Sequence, residues 1–197
     1  MVLLGFYETM NSESTTVAFV RFSALAAYLL LCITLLIGPL VTLWPKEFAQ
    51  IVEPRRAIGI ASFVFVLLHV FLSMAHYFSW DINGIFSVPP MAIGTVALIL
   101  LFLLTITSCD FAIKKLGAVW WKRIQQFNYL AFILVTIHFV MKANGLFKGN
   151  SINLAEVSLI VLGAATVVLQ IVGFVTRGRK NQKRSPSQTP PSNHNGS

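Results

Sequence analysis

The 197-residue chain has little charge. Asp, Glu, Lys and Arg make up 11% of it, where a soluble domain carries about 25%. What charge there is clusters, and five stretches hold none: Phe22–Pro45, Ala57–Trp80, Ile82–Cys109, Ile124–Met141 and Val157–Thr176. A membrane-crossing helix needs about 20 mainly apolar residues, so a soluble globular class is excluded. Cysteine is scarce too. Cys32 and Cys109 form no CxxC and no disulfide framework, and without CxxCH no covalent haem attachment is encoded. There is no GxGxxG or other nucleotide fingerprint and no room for a flavin or NAD domain. No basic patch interleaved with aromatics lies outside the membrane flanks, which argues against nucleic acid as a partner. No internal repeat is visible, and no soluble domain fits between the apolar stretches.

What is present reads as an all-α, polytopic bundle of five transmembrane helices. Pro89-Pro90 cuts the third stretch, so its helix is expected to start near Met91. The fourth is the shortest and can borrow Trp120 and Trp121 as an interfacial anchor. The first lacks a basic n-region and a small-residue cleavage site, so it is not expected to be a cleaved signal. Residues 1–16 read as an exposed arm, 17–176 as the membrane domain, and 177–197 as a disordered basic tail, rich in Ser, Pro and Asn. His194, in that tail, carries no inferred role.

Lys and Arg are asymmetric across the alternating flanks. Lys46, Arg55, Arg56, Lys114, Lys115, Lys122, Arg123, Arg177, Arg179, Lys180, Lys183 and Arg184 fall on one side, and only Arg21, Lys142 and Lys148 on the other. The positive-inside rule puts the first set in the cytoplasm, with the N-terminus outside and the C-terminus inside. The net charge of +8 then reads as topology and as affinity for anionic membrane lipid.

An imidazole inside the bilayer is costly and normally marks a site, although a single one can simply hydrogen-bond a neighbouring helix. The segment LLHVFLSMAHYF places His69 and His76 seven residues apart, nearly two helical turns, on one face. That face continues through Arg55, Gly59, Ser62, Val66, His69, Ser73 and His76. Small and polar residues such as Ser62 and Ser73 would leave clearance for a wide, flat ligand beside an imidazole. His138 lies in FILVTIHFVM of the fourth span. Counted from Arg56 and Arg123, His69 and His138 fall at similar depth, roughly 20 Å from the basic flank by helix rise. Two imidazoles facing across a bundle suit the axial positions of a non-covalent haem. Zinc is the competing metal, with His76 as a third ligand, but no Asp, Glu or Cys is well placed to complete such a site.

EPRRAIGIASFVFVLLHVF (Glu53–Phe71) and TSCDFAIKKLGAVWWKRIQQFNYLAFILVTIHFVM (Thr107–Met141) resemble the two matching segments of ferric reductase-like transmembrane domains. Within that family they are most similar to the haem-binding subunit of the bacterial methionine-sulfoxide reductase system. The resemblance runs from about Val17 to Met141 and implies b-type haem and electron transfer across the cytoplasmic membrane. It places axial iron ligands at His69 and His138. A middle family histidine falls on Gln125, a poor axial ligand, so one haem is expected and a second is not supported. His76 is extra to the pattern, and the chain is expected to lack the family's first helix. His76 would meet a propionate on the outer side, replace His69 as ligand or cap the outer helix end, and Lys142 would meet an outer-side propionate. Arg55, Arg56 and Arg123, at the cytoplasmic lip, would meet propionates, lipid headgroups or the phosphate of a flavin such as FMN, or serve as anchors only. A separate donor, a flavoreductase or the quinone pool, and an outer-side acceptor, such as a reductase subunit, are implied. The alternative is a transporter or channel with histidine relays. It calls for paired carboxylates or broken helices, of which only Gly38-Pro39 offers a trace.

Overall fold

The computed structural model describes residues 15–52, 54–142 and 154–184, and every regular element among them is helical. The long helices are α1 (Thr15–Leu43), α3 (Arg55–Ser73), α5 (Pro89–Ile106), α6 (Asp110–Gln125), α7 (Phe127–Lys142) and α8 (Leu154–Arg184). Two short ones, α2 (Pro45–Phe48) and α4 (Ile82–Phe86), sit in connections. Five segments are long and apolar enough to cross a membrane: Thr15–Leu43, Arg55–Phe78, Pro89–Ile106, Asp110–Lys142 and Leu154–Arg179. The protein is therefore a multi-pass membrane protein. Phe71, Phe102, Val161 and Phe174 point outward, as a lipid-facing surface allows and a water-facing one does not.

α1 is the hub. It is apolar nearly all round, and Leu25, Tyr28, Leu31, Cys32 and Leu35 are buried in the core. α3 packs on one side of it and α8 on another, while α5 and α7 form a second pair. Lipid tails are as apolar as leucine, so close packing and interhelical hydrogen bonds must hold such helices together. The α1–α3 seam shows how. Arg55 Nε donates to the Thr34 carbonyl at 3.1 Å, Ser62 Oγ to Ala27 at 2.8 Å, and His69 Nδ1 to Val20 at 3.1 Å. The donors step forward by seven along α3 while the acceptors step back by seven along antiparallel α1. Gly59 faces Thr34 across the same seam.

Pro39 lies inside α1. It has no N–H, so the Leu35 carbonyl loses its helical partner. The amide of Gln170 on α8 donates to that carbonyl. α8 comes close at this level because Gly173 faces Pro39, where a Cβ would sit 3.1 Å from the proline Cβ.

Three boundaries and one helix type differ from expectation. α5 starts at Pro89, not near Met91, because proline suits the first helical turn. α3 runs on into a π turn at Met74–Phe78, which ends on the left-handed residues Ser79 (φ 46°) and Trp80 (φ 66°). Asp81 then caps α4 by accepting from the Asn83 N–H at 3.0 Å. The fourth span is preceded by the amphipathic α6, broken at Gly117, whose φ of 75° suits glycine. α8 stays helical through Arg184, because Arg, Lys and Gln are good helix formers. The arm to residue 14 and the tail from residue 185 lie outside the described residues.

Candidate functional site

His69 and His138 share one hydrogen-bonding arrangement. His69 Nδ1 lies 3.1 Å from the Val20 carbonyl of α1, and His138 Nδ1 lies 2.6 Å from the Pro90 carbonyl of α5. A carbonyl only accepts, so each Nδ1 carries the proton and each Nε2 presents a lone pair. Among the described residues neither Nε2 has a hydrogen-bond partner. The imidazoles lie within electrostatic range of each other and of the Lys142 ammonium. Each is held by a different helix pair, and their own helices, α3 and α7, make few direct contacts.

This is the donor set that haem iron accepts. A metal-ligating histidine binds through one nitrogen while the other donates to a carbonyl or carboxylate, which fixes tautomer and ring plane. Among the described residues no cluster of three His, Cys, Asp or Glu side chains assembles. A tetrahedral zinc site takes at least three protein ligands, whereas two axial histidines suffice for haem.

Gly94 completes the seat of His138. A Cβ there would stand 2.8 Å from the ring Nδ1 and 2.9 Å from Cε1. Tyr28 of α1 braces the same helix. Its ring stacks on Phe139 at 4.8 Å and on Phe132 at 5.9 Å, and its hydroxyl meets Thr136 Oγ1 at 3.1 Å. Gly163 of α8 leaves room for that hydroxyl. None of these neighbours stands out in the sequence by motif. A glycine in an apolar span is the only trace, and its partner is 44 residues away.

The other expected residues are dispersed. Ser62 is not turned to a ring: it is buried, and its hydroxyl is used by the Ala27 carbonyl across the α1 seam. Ser73, half-buried, is the last residue of α3. His76 is exposed in the π turn, its ring edge-on to Tyr77 at 4.7 Å. The wider π turn takes it out of the seven-residue register that His69 keeps. Arg55 donates its Nε–H to the Thr34 carbonyl and is within electrostatic range of Tyr129 and Arg177. Arg56 forms a 2.6 Å ion pair with Asp110, and Arg123 lies 5.0 Å over the Trp120 ring. All three arginines stand at the end of the bundle away from the histidines. Gln125 uses its amide as a tie to α5, donating to Leu104 O at 3.5 Å and Ser108 Oγ at 3.4 Å and accepting from Asn128 at 3.2 Å.

Residues 22–136 match the family described as "Ferric reductase like transmembrane component". The chain is 29% identical over 150 residues to magnetosome protein MamZ of Magnetospirillum gryphiswaldense, covering 73% of this chain and 22% of that protein. It is 30% identical over 126 residues to the protein-methionine-sulfoxide reductase heme-binding subunit MsrQ of Pasteurella multocida, covering 62% of this chain and 58% of that one. The MsrQ of an Enterobacter strain is 32% identical over 127 residues, 61% of each chain. The chain thus spans about a fifth of the magnetosome protein and under two thirds of the MsrQ subunits.

Proposed function

The chain belongs to the ferric reductase-like transmembrane family, and from that premise we propose that it is a haem-b electron-transfer subunit of the cytoplasmic membrane. His69 and His138 would hold the iron through their free Nε2 atoms. Haem b held by these two residues would supply a one-electron carrier. The surrounding residues prepare the ligands. The Val20 and Pro90 carbonyls keep a proton on each Nδ1 and raise the basicity of each Nε2. Gly94 lets the His138 ring pack close against α5. Lys142, one turn beyond His138, brings a positive charge suited to a propionate. The use of Gln125 as a helix tie favours one haem, not two.

The donor in this reading is a separate flavoprotein, with FMN at or near the cytoplasmic lip, or the quinone pool. The acceptor lies outside. The name of the MsrQ relatives, a heme-binding subunit of a reductase, supports a partner reductase that takes the electrons. The basic flanks support an N-terminus outside and a C-terminus in the cytoplasm.

The carrying observation is the pair of imidazoles with Nδ1 on a carbonyl and Nε2 free. The purified protein should show a sharp Soret band and an alpha band on dithionite reduction. His69→Ala and His138→Ala should each lose them, and His76→Ala should keep them. A colourless protein from haem-replete cells would leave the histidine-relay transporter as the better reading. Full haem in His138→Ala would refute the ligand pair.

A further inference from the structure

At the end of the bundle away from the histidines, side chains from two helices converge on the Pro39 bend of α1. Arg55 reaches Thr34 O. Gln170 reaches Leu35 O. Arg177 Nη2 reaches Gly38 O at 3.2 Å, and its Nε reaches Thr42 Oγ1 at 2.8 Å. The two guanidiniums are within electrostatic range of each other. Among the described residues neither meets a carboxylate, and each keeps N–H donors with no protein acceptor. Like charges gathered near a bilayer are unfavourable without a counter-charge.

A groove of about 320 Å³ opens beside them. Leu35, Pro39, Phe132, Ile133, Val167 and Phe174 line it, with Arg177 at its lip. Its outer wall belongs to the lipid-facing surface, since Ile133, Val167 and Phe174 are exposed. An apolar slot open to the acyl chains, with Arg177 at its lip and Arg55 within electrostatic range of Arg177, matches an amphiphile with an anionic head. The geometry points to a resident anionic phospholipid here, with an acyl chain in the groove and its phosphate on Arg177 and Arg55. A neutral quinone would fill the slot but leave the spare donors of both guanidiniums unmet. A free phosphate would pair with the cations but leave the slot empty. This site is independent of the haem reading.

The test is native mass spectrometry of the detergent-purified full chain with added phosphatidylglycerol, phosphatidylcholine, glycerol phosphate or a short-chain ubiquinone. Phosphatidylglycerol should be retained over phosphatidylcholine. Arg177→Gln should cut that preference about fivefold, as expected for one arginine at an anionic surface, while Arg177→Lys keeps most of it. Ile133→Trp fills the groove and leaves both cations, and should reduce retention of phosphatidylglycerol. Glycerol phosphate should not compete. Equal retention of the two lipids, or a preference that survives Arg177→Gln, would overturn the site. Displacement of phosphatidylglycerol by the quinone would reassign the groove and equally overturn it.

Discussion

Gly94 decides more about the candidate site than its size suggests. An alanine methyl at that position would stand 2.8 Å from His138 Nδ1, so the ring must turn or α7 must retreat. Either movement breaks the 2.6 Å contact with Pro90 that fixes the proton on Nδ1. Gly94→Ala should therefore cost about 1–3 kcal/mol of stability through overpacking. It should also shift the haem reduction potential and the low-spin spectrum, whereas a purely structural effect would lower the melting temperature alone. Redox titration and electron paramagnetic resonance of the loaded protein separate the two. Tyr28→Phe is a milder probe. It removes the hydroxyl that meets Thr136 and keeps the stacking on Phe139 and Phe132. A loss near 1 kcal/mol in a thermal melt is expected. His69 and His138 are legible in the sequence because an imidazole in an apolar span is conspicuous. Gly94 and Pro90 are not, because what singles them out is contact with a residue far along the chain.

The seven-residue spacing of Arg55, Ser62 and His69 is also legible, and it does define one face of α3. The sequence of one helix states which residues share a face but not what that face meets. The face meets α1, whose Thr34, Ala27 and Val20 carbonyls run in the opposite direction at the same step. Ser62→Ala should cost only about 0.6 kcal/mol, the average of an interhelical hydrogen bond in a membrane. Ser62→Leu should cost more, because the buried hydroxyl leaves no room for a larger side chain. If α1 then moves from α3, the Val20 carbonyl leaves His69 and haem retention falls. The Pro39 bend offers a cleaner energetic test. Gln170→Ala should destabilise the wild type by about 1 kcal/mol through the orphaned Leu35 carbonyl. In a Pro39→Ala background that carbonyl regains a helical N–H, so the same change should cost less. A double-mutant cycle followed by thermal melting measures the difference. Equal costs in both backgrounds would mean that Gln170 does not serve the bend. Pro39 is visible in the sequence, but its partner on α8 is not.

For the whole molecule, charge scarcity and five uncharged runs already contain the five crossings, because the hydrocarbon thickness sets span length. The edges are less legible, because α6 and the end of α8 mix charge with helix formers that hold the helix past the apolar run. Orientation rests on the charge asymmetry, and the protein carries its own reporter of it. Cys109 is exposed at the start of α6, beside the Arg56–Asp110 pair at the basic end, while Cys32 is buried. A membrane-impermeant thiol reagent should leave Cys109 untouched in intact spheroplasts and label it in inverted vesicles. A Ser87→Cys variant, exposed at the opposite end before α5, should show the reverse in a Cys109→Ser background. Labelling of Cys109 from outside would invert the bundle. His69 and His138 would then lie in the cytoplasmic half of the membrane. The thiol experiment thus fixes which half of the membrane holds the two histidines as well as the topology, because they sit nearer one end of the bundle than the other.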